Sequence, residues 1–188
     1  TVKGLTLEPT SENTTPRIAE TPSGLLNSIG LENPGLESFI ENKLEIIGEF
    51  EVPIIVNISG HSVKDFARLA EKLNPYSEIE ALEVNVSCPN IAGGGMAFGT
   101  DSDLVYEITK IVREKFSGTV ITKLSPNVTD IVEMAVAAEK GGADVISLIN
   151  TLLGMSIDAD TKTPVLGNVF GGLSGPAIKP VALRMVYQ

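Results

Sequence analysis

Tryptophan is absent from the chain, and cysteine and histidine each occur once, at Cys88 and His61. A single thiol excludes an internal disulfide and any metal cluster built on cysteines. Aromatic residues are scarce, six Phe and three Tyr, so Val, Ile, Leu and Ala must supply most of the packing. No apolar run approaches the roughly 20 residues that a membrane-spanning helix needs, and no secretory h-region opens the chain. A soluble, cytoplasmic protein without a membrane partner is the expectation. Positive charge is also in deficit: 14 Lys and Arg stand against 24 Asp and Glu, a net charge of −10. Nucleic-acid binding calls for a basic footprint, which this balance argues against. What remains is a chain of 188 residues, 43% hydrophobic and with 18 Gly and 11 Pro between its apolar runs. That is enough for one compact domain over residues 1–188 with a real core and many short connections.

Hydrophobic periodicity divides the chain into alternating strands and helices. Leu5 to Gly35 reads as a long polar connection, a length that usually signals function. Leu36, Phe39, Ile40, Leu44 and Ile47 recur at helical spacing and predict a helix to Phe50. Val52 to Ile58 is apolar enough for a buried strand. Ser62 can cap a helix over Val63 to Leu73, with Phe66, Leu69, Ala70 and Leu73 as its inner stripe. Ala81 to Asn85 is the next strand, followed by a glycine-rich loop from Ile91 to Gly99. Asp101 caps a helix to about Phe116, Val120 to Lys123 is a strand, and Asp130 opens a helix that ends at Gly141-Gly142. Val145 to Asn150 reads as a strand, Thr151 to Pro176 as a long loop, and Ile178 to Tyr187 as a helix. Such alternation implies a parallel sheet covered by helices. An open doubly wound sheet would alternate in the same way, but no G-x-G-x-x-G follows any strand. The expected fold is therefore a TIM-type (β/α)8 barrel, with about five of its eight units in this stretch. Both ends read as cut, since the chain opens inside a strand and closes inside a helix.

Five apolar runs end in Asn or Lys: Lys3, Asn57, Asn85, Lys123 and Asn150. Residues 57, 85, 123 and 150 are spaced by 28, 38 and 27 positions, ordinary lengths for β/α units. Strand ends at one rim of a barrel converge, so these residues and Cys88, just past Asn85, are expected to share a pocket. A lone cysteine is as often a small buried hydrophobe as a catalyst. Its place in a loop after a strand favours chemistry, and a thiol pKa of about 8.5 can be tuned to accept a proton. The three Asn could merely satisfy loop backbones, but in parallel positions they suit a flat heterocycle. A Lys at the end of an apolar strand must reach solvent or meet an anion. His61 reads as a surface or capping residue. Asp101, Asp103, Asp158 and Asp160 read as solvated carboxylates, with no metal site expected. Gly171-Gly172-Leu173-Ser174-Gly175 could let the backbone approach a cofactor.

Five co-linear motifs carry a resemblance over essentially all 188 residues. They are Asn27-Ser-Ile-Gly-Leu-Glu-Asn-Pro-Gly35, Asn85-Val-Ser-Cys-Pro-Asn90, Lys123-Leu-Ser-Pro-Asn127, Ile149-Asn-Thr-Leu152 and Gly171-Gly-Leu-Ser-Gly-Pro-Ala-Ile-Lys-Pro180. Together they resemble dihydroorotate dehydrogenase, with the stretches at 94–100 and 174–186 closest to the class 1B catalytic subunit. The resemblance implies an FMN-dependent barrel that oxidises dihydroorotate to orotate in pyrimidine (UMP) biosynthesis. It implies Cys88 as the base, where class 2 enzymes carry Ser. Lys3 would touch both flavin and substrate, and Gly4, where Ala or Thr is more familiar, would meet the flavin through its backbone. Asn27, Ser28, Ile29, Gly30 and Leu31 would form the substrate loop. Asn85 would serve substrate and flavin, Asn150 and Thr151 the substrate, and Asn57, Lys123, Ile149 and Gly175 the FMN.

The same resemblance implies a partner subunit carrying FAD and a 2Fe–2S cluster and passing electrons to NAD, in a heterotetramer of two catalytic and two electron-transfer subunits. It also implies that a first strand, most of a second and the last two β/α units lie outside these residues. Alternatives are a fumarate-using class 1A enzyme, a flavin domain like that of dihydropyrimidine dehydrogenase, and a non-catalytic barrel remnant.

Overall fold

A computed structural model describes residues 1–50, 52–87 and 98–188. Five strands form an all-parallel sheet in the order β1 (Val2–Leu5), β4 (Ile54–Ile58), β5 (Ile79–Asn85), β6 (Thr119–Lys123) and β7 (Val145–Ser147). This is a partial TIM-type α/β fold, as the alternation of strand and helix predicted.

The helices α3 (Val63–Leu73), α4 (Ser102–Lys115) and α5 (Ile131–Lys140) connect these strands. Each begins where the sequence placed a cap. Ser62 Oγ accepts from the Asp65 N–H, Asp101 from Asp103 and Leu104, and Asp130 from Val132 and Glu133. These side chains satisfy amides that have no partner within the first turn. The apolar stripe of α3 is fully buried, Phe66, Leu69, Ala70 and Leu73 all at 0% exposure. Phe66 packs edge-on against Phe98 with ring centres 6.2 Å apart. The helix predicted over 36–50 runs over 36–48, as α1 (Leu36–Phe39), a π turn (Ile40–Leu44) and α2 (Glu45–Gly48).

Two of the expected loops are structured. Within 5–35 lies a hairpin of β2 (Ile18–Thr21) and β3 (Gly24–Asn27), and within 151–176 lie β8 (Leu152–Met155), β9 (Ile157–Asp158), β10 (Thr163–Pro164) and β11 (Phe170–Ser174). Strands β2, β3, β11 and β8 form a second, antiparallel sheet in that order, while β9 and β10 pair by themselves. Each strand of the second sheet has only four or five residues, interrupted by Gly or Thr. Its decisive pairing joins Asn27 to Gly172, a sequence separation that local alternation cannot register. The strand predicted to reach Asn150 stops at Ser147. Beyond it the ladder gives way to single bonds, Leu124 N–H to Ser147 O and Asn150 N–H to Leu124 O. The Leu148–Ile149 peptide is cis. The helix predicted to Phe116 ends at Lys115 with Phe116 extended, and the last helix, α6, spans Lys179–Tyr187.

Burial on the parallel sheet is deepest on one side. Val56, Ile58, Leu82, Val84, Val120 and Thr122 are at 0% exposure. They face the helices, because the Thr122 hydroxyl lies 3.2 Å from that of Thr109 on α4. Alternation therefore turns Ile55, Asn57, Glu83, Asn85, Ile121 and Lys123 to the opposite face.

Phe66→Ala should lower the unfolding free energy by about 3–5 kcal/mol, the usual cost of emptying a close-packed aromatic site. Urea denaturation measures it, and a loss below about 1 kcal/mol would mean that the helix-facing side is not tightly packed.

Candidate active-site rim

The opposite face of the parallel sheet carries the polar strand ends, and the register makes neighbours of them. Asn57 lies opposite Glu83 on the adjoining strand, and Asn85 lies opposite Lys123. Asn57 Nδ2 donates to Glu83 Oε2 at 2.6 Å. Asn85 Oδ1 accepts from the Ser87 N–H and from Asn150 Nδ2, both at 3.2 Å. Asn150 Oδ1 accepts in turn from the Thr151 N–H at 2.8 Å. Asn150 thus reaches the rim although it lies beyond the strand. Asn57 and Asn85 are only 7% and 8% exposed, while Lys123 and Glu83 are half-buried.

The second sheet supplies the other wall. Asn27 Nδ2 donates to Gly172 O at 3.4 Å, and a Cβ on Gly172 would collide with the Thr151 hydroxyl. Asn27, Gly172 and Thr151 are thereby held together. The 27–31 segment is anchored from outside: Asn13 donates to Ser28 O and Ile29 O, and Asn33 ties Leu31 O to the Thr6 hydroxyl. Gly30 has a φ of +90° with Asn13 packed against it, and Leu31 lies in the left-handed region at +59°. Only glycine takes such backbone without strain. The segment ends beside β1, where a Cβ on Gly4 would lie 3.0 Å from Asn57 Oδ1 and 3.3 Å from Leu31 Cδ2.

Three expected site residues stand apart from this network. Lys3 is exposed and lines a cleft of about 820 Å³ with Thr10, Glu12, Asn33, Phe39 and Lys43. Gly175, with a φ of +100°, packs against Gly24 and Ser23 at the far end of β11. Ile149 is half-buried against the main core. Cys88, with Pro89, Asn90 and the loop to Ala97, lies outside the described residues, and Ser87 before it reaches Lys123 O at 3.5 Å. Glu83, Asn127, Asn33 and Asn13 were not singled out as site residues. Asn127 bridges Thr151 O and the Leu153 N–H. It stands in the Lys123-Leu-Ser-Pro-Asn127 motif, a signal that could have found it, and the alternation Glu83, Asn85 could have found Glu83.

Among the described residues no group of three or more His, Cys, Asp or Glu could hold a metal ion. Asp158 instead accepts from the N–H groups of Asp160 and Thr161 and from the Thr161 hydroxyl. The Thr161 bonds, backbone first, hold its carboxyl below the usual carboxylate range.

Parallel strands flanked by helices, with amides and a lysine gathered at the strand ends, make this a partial TIM-type α/β fold, in which such ends form one rim. The chain belongs to the dihydroorotate dehydrogenase family, whose model matches residues 1–188. It is 57% identical over 187 residues to the "Dihydroorotate dehydrogenase B (NAD(+)), catalytic subunit" of Alkaliphilus oremlandii, covering all of this chain and 62% of that protein. Proteins of the same name from Geotalea uraniireducens and Halalkalibacterium halodurans are 54% and 53% identical, over 99% and 100% of this chain and 61% of each relative. The chain thus spans about three fifths of the length of these relatives.

Asn85→Ala removes the acceptor shared by Ser87 and Asn150 and should cost about 1–3 kcal/mol of stability, read by urea denaturation; an unchanged midpoint would mean the bridge is not formed in solution. The depressed Asp158 carboxyl stabilises the β9–β10 turn fully above its ordinary value of 3.8, and this support is lost as pH falls through the lower folded value. Amide exchange at Asp160 and Thr161 should therefore quicken only in strong acid, and Asp158→Asn should abolish that pH dependence.

Proposed function

We propose that the chain is part of the catalytic barrel of a class 1B dihydroorotate dehydrogenase, which oxidises dihydroorotate to orotate in pyrimidine biosynthesis, with residues 1–188 all belonging to that single, partial domain. The reading is carried by the meeting of Asn85, Lys123, Asn150 and Thr151 at one rim of a chain of this family. The residues present suit FMN. Among the described residues Asn57 Oδ1 takes no hydrogen bond and the buried Ser28 Oγ has no partner, and Gly4 keeps β1 clear beside Asn57.

Gly4, Asn57, Asn85, Lys123, Ile149 and Gly175 would hold the flavin, with Lys3 and Asn85 meeting both flavin and substrate. When bound, FMN supplies the hydride acceptor. Lys123 brings positive charge to an electron-rich ring. Asn27, Ser28, Ile29, Gly30 and Leu31, with Asn150 and Thr151, hold the substrate's carboxylate and ring in register. The Asn150 amide is oriented by Asn85, so the two act as one unit. Cys88 takes the proton from C5, the hydride departs from C6, and the C5–C6 double bond of orotate remains. A partner subunit with FAD and a 2Fe–2S cluster would supply the route for electrons to NAD, in a cytoplasmic heterotetramer of two catalytic and two electron-transfer subunits. The NAD(+) and "catalytic subunit" in the relatives' names support that arrangement. No helix among the described residues is long and apolar enough to cross a membrane.

In the FMN-loaded holoenzyme Cys88→Ala should slow flavin bleaching by dihydroorotate about 10²–10⁴-fold, the usual worth of a general base, with FMN still bound. Bleaching at the unaltered rate would remove the assignment of Cys88, and efficient turnover with fumarate would remove class 1B.

A further inference from the structure

We propose that Glu83 is a positioning residue for the flavin site, acting through Asn57. Glu83 stands on the strand-end face of β5 directly opposite Asn57 on β4, and its Oε2 accepts from Asn57 Nδ2 at 2.6 Å. An amide side chain can present either its oxygen or its NH2 group in the same place, and its surroundings decide which. A carboxylate only accepts. It therefore compels Asn57 to turn its NH2 group toward β5 and its oxygen toward β1, where Oδ1 lies beside Gly4.

Asn57 is only 7% exposed, so water cannot freely restore a wrongly turned amide. Among the described residues no donor reaches Oδ1. Glu83 thus leaves one oriented acceptor at the rim, suited to an N–H or O–H donor of the bound flavin. With the amide reversed, an NH2 group would face that donor and the contact would be lost. The bond to an ionised acceptor is of the stronger, charge-assisted kind. The assignment rests on the reading that Asn57 holds FMN.

The test is FMN affinity, measured by flavin fluorescence on FMN-depleted and reconstituted enzyme. Glu83→Ala should weaken FMN binding about tenfold, the worth of one hydrogen bond to a charged group. Glu83→Gln should remain within about threefold of the parent, because its amide oxygen can accept the same bond. Asn57→Asp sets two acceptors against each other and should lose affinity, while Asn57→Asp combined with Glu83→Gln restores a donor–acceptor pair and should regain most of it. Rescue in that double variant is an outcome that a merely structural Glu83 would not produce. Unchanged affinity in Glu83→Ala, or no recovery in the double variant, would overturn the assignment while leaving the flavin reading intact. A parent enzyme that takes up no FMN would overturn both.

Discussion

Everything at the rim depends on the complete burial of the helix-facing side of the parallel sheet. Alternate residues of β4, β5 and β6 are sealed beneath α3, α4 and α5, with Val56, Ile58, Leu82, Val84 and Val120 wholly removed from water. At about 1.5–3 kcal/mol for each buried aliphatic side chain, a slip of one residue would expose this whole set, so the register is firmly specified. The polar residues between them inherit that precision. Asn57, Glu83, Asn85 and Lys123 are held where they are because their apolar neighbours cannot be anywhere else.

The second sheet solves a different problem. A parallel sheet can bring its own strand ends together, but the 27–31 segment belongs to a connection between strands and has no ladder of its own in the barrel. The antiparallel pairing of β3 with β11, and of β11 with β8, carries Asn27 to Gly172 and Thr151. Gly172 is needed there because any side chain would displace the Thr151 hydroxyl. The rim and this wall meet through Thr151, whose N–H is bound to Asn150 and whose carbonyl is bound by Asn127. A buried polar chain of this kind rigidifies only when its members are satisfied together. Asn85 Oδ1, Asn150 and Thr151 are joined in such a chain, while Ser28 Oγ is buried without a partner among the described residues.

Much of this was legible in the chain. The five parallel strands, the caps at Ser62, Asp101 and Asp130, and the inner stripe of α3 follow from local rules of period and capping that act within about four residues. The nearness of Asn85 to Lys123 and Asn150 was legible as well, because strand ends at one rim approach each other. The strands of the second sheet were not. Leu152–Met155 and Phe170–Ser174 are short and rich in glycine, and their exposed residues include Leu153, Met155 and Phe170. No clean alternation of polar and apolar residues marks them.

The sequence by itself therefore determined the class of sheet, the helices that cover it and the chemical types gathered at its rim, since these depend on side-chain periodicity along single segments. Only the tertiary structure decided which groups touch. Asn85 and Asn150 are 65 residues apart and share a hydrogen bond, Asn27 reaches Gly172 on the adjoining strand of another sheet, and Lys3, at a strand end, lines a cleft with Phe39 and Lys43. Such contacts are set by strand register, by sheet-to-sheet pairing and by the direction in which each side chain leaves the backbone, and none of these is a property of a local stretch of chain.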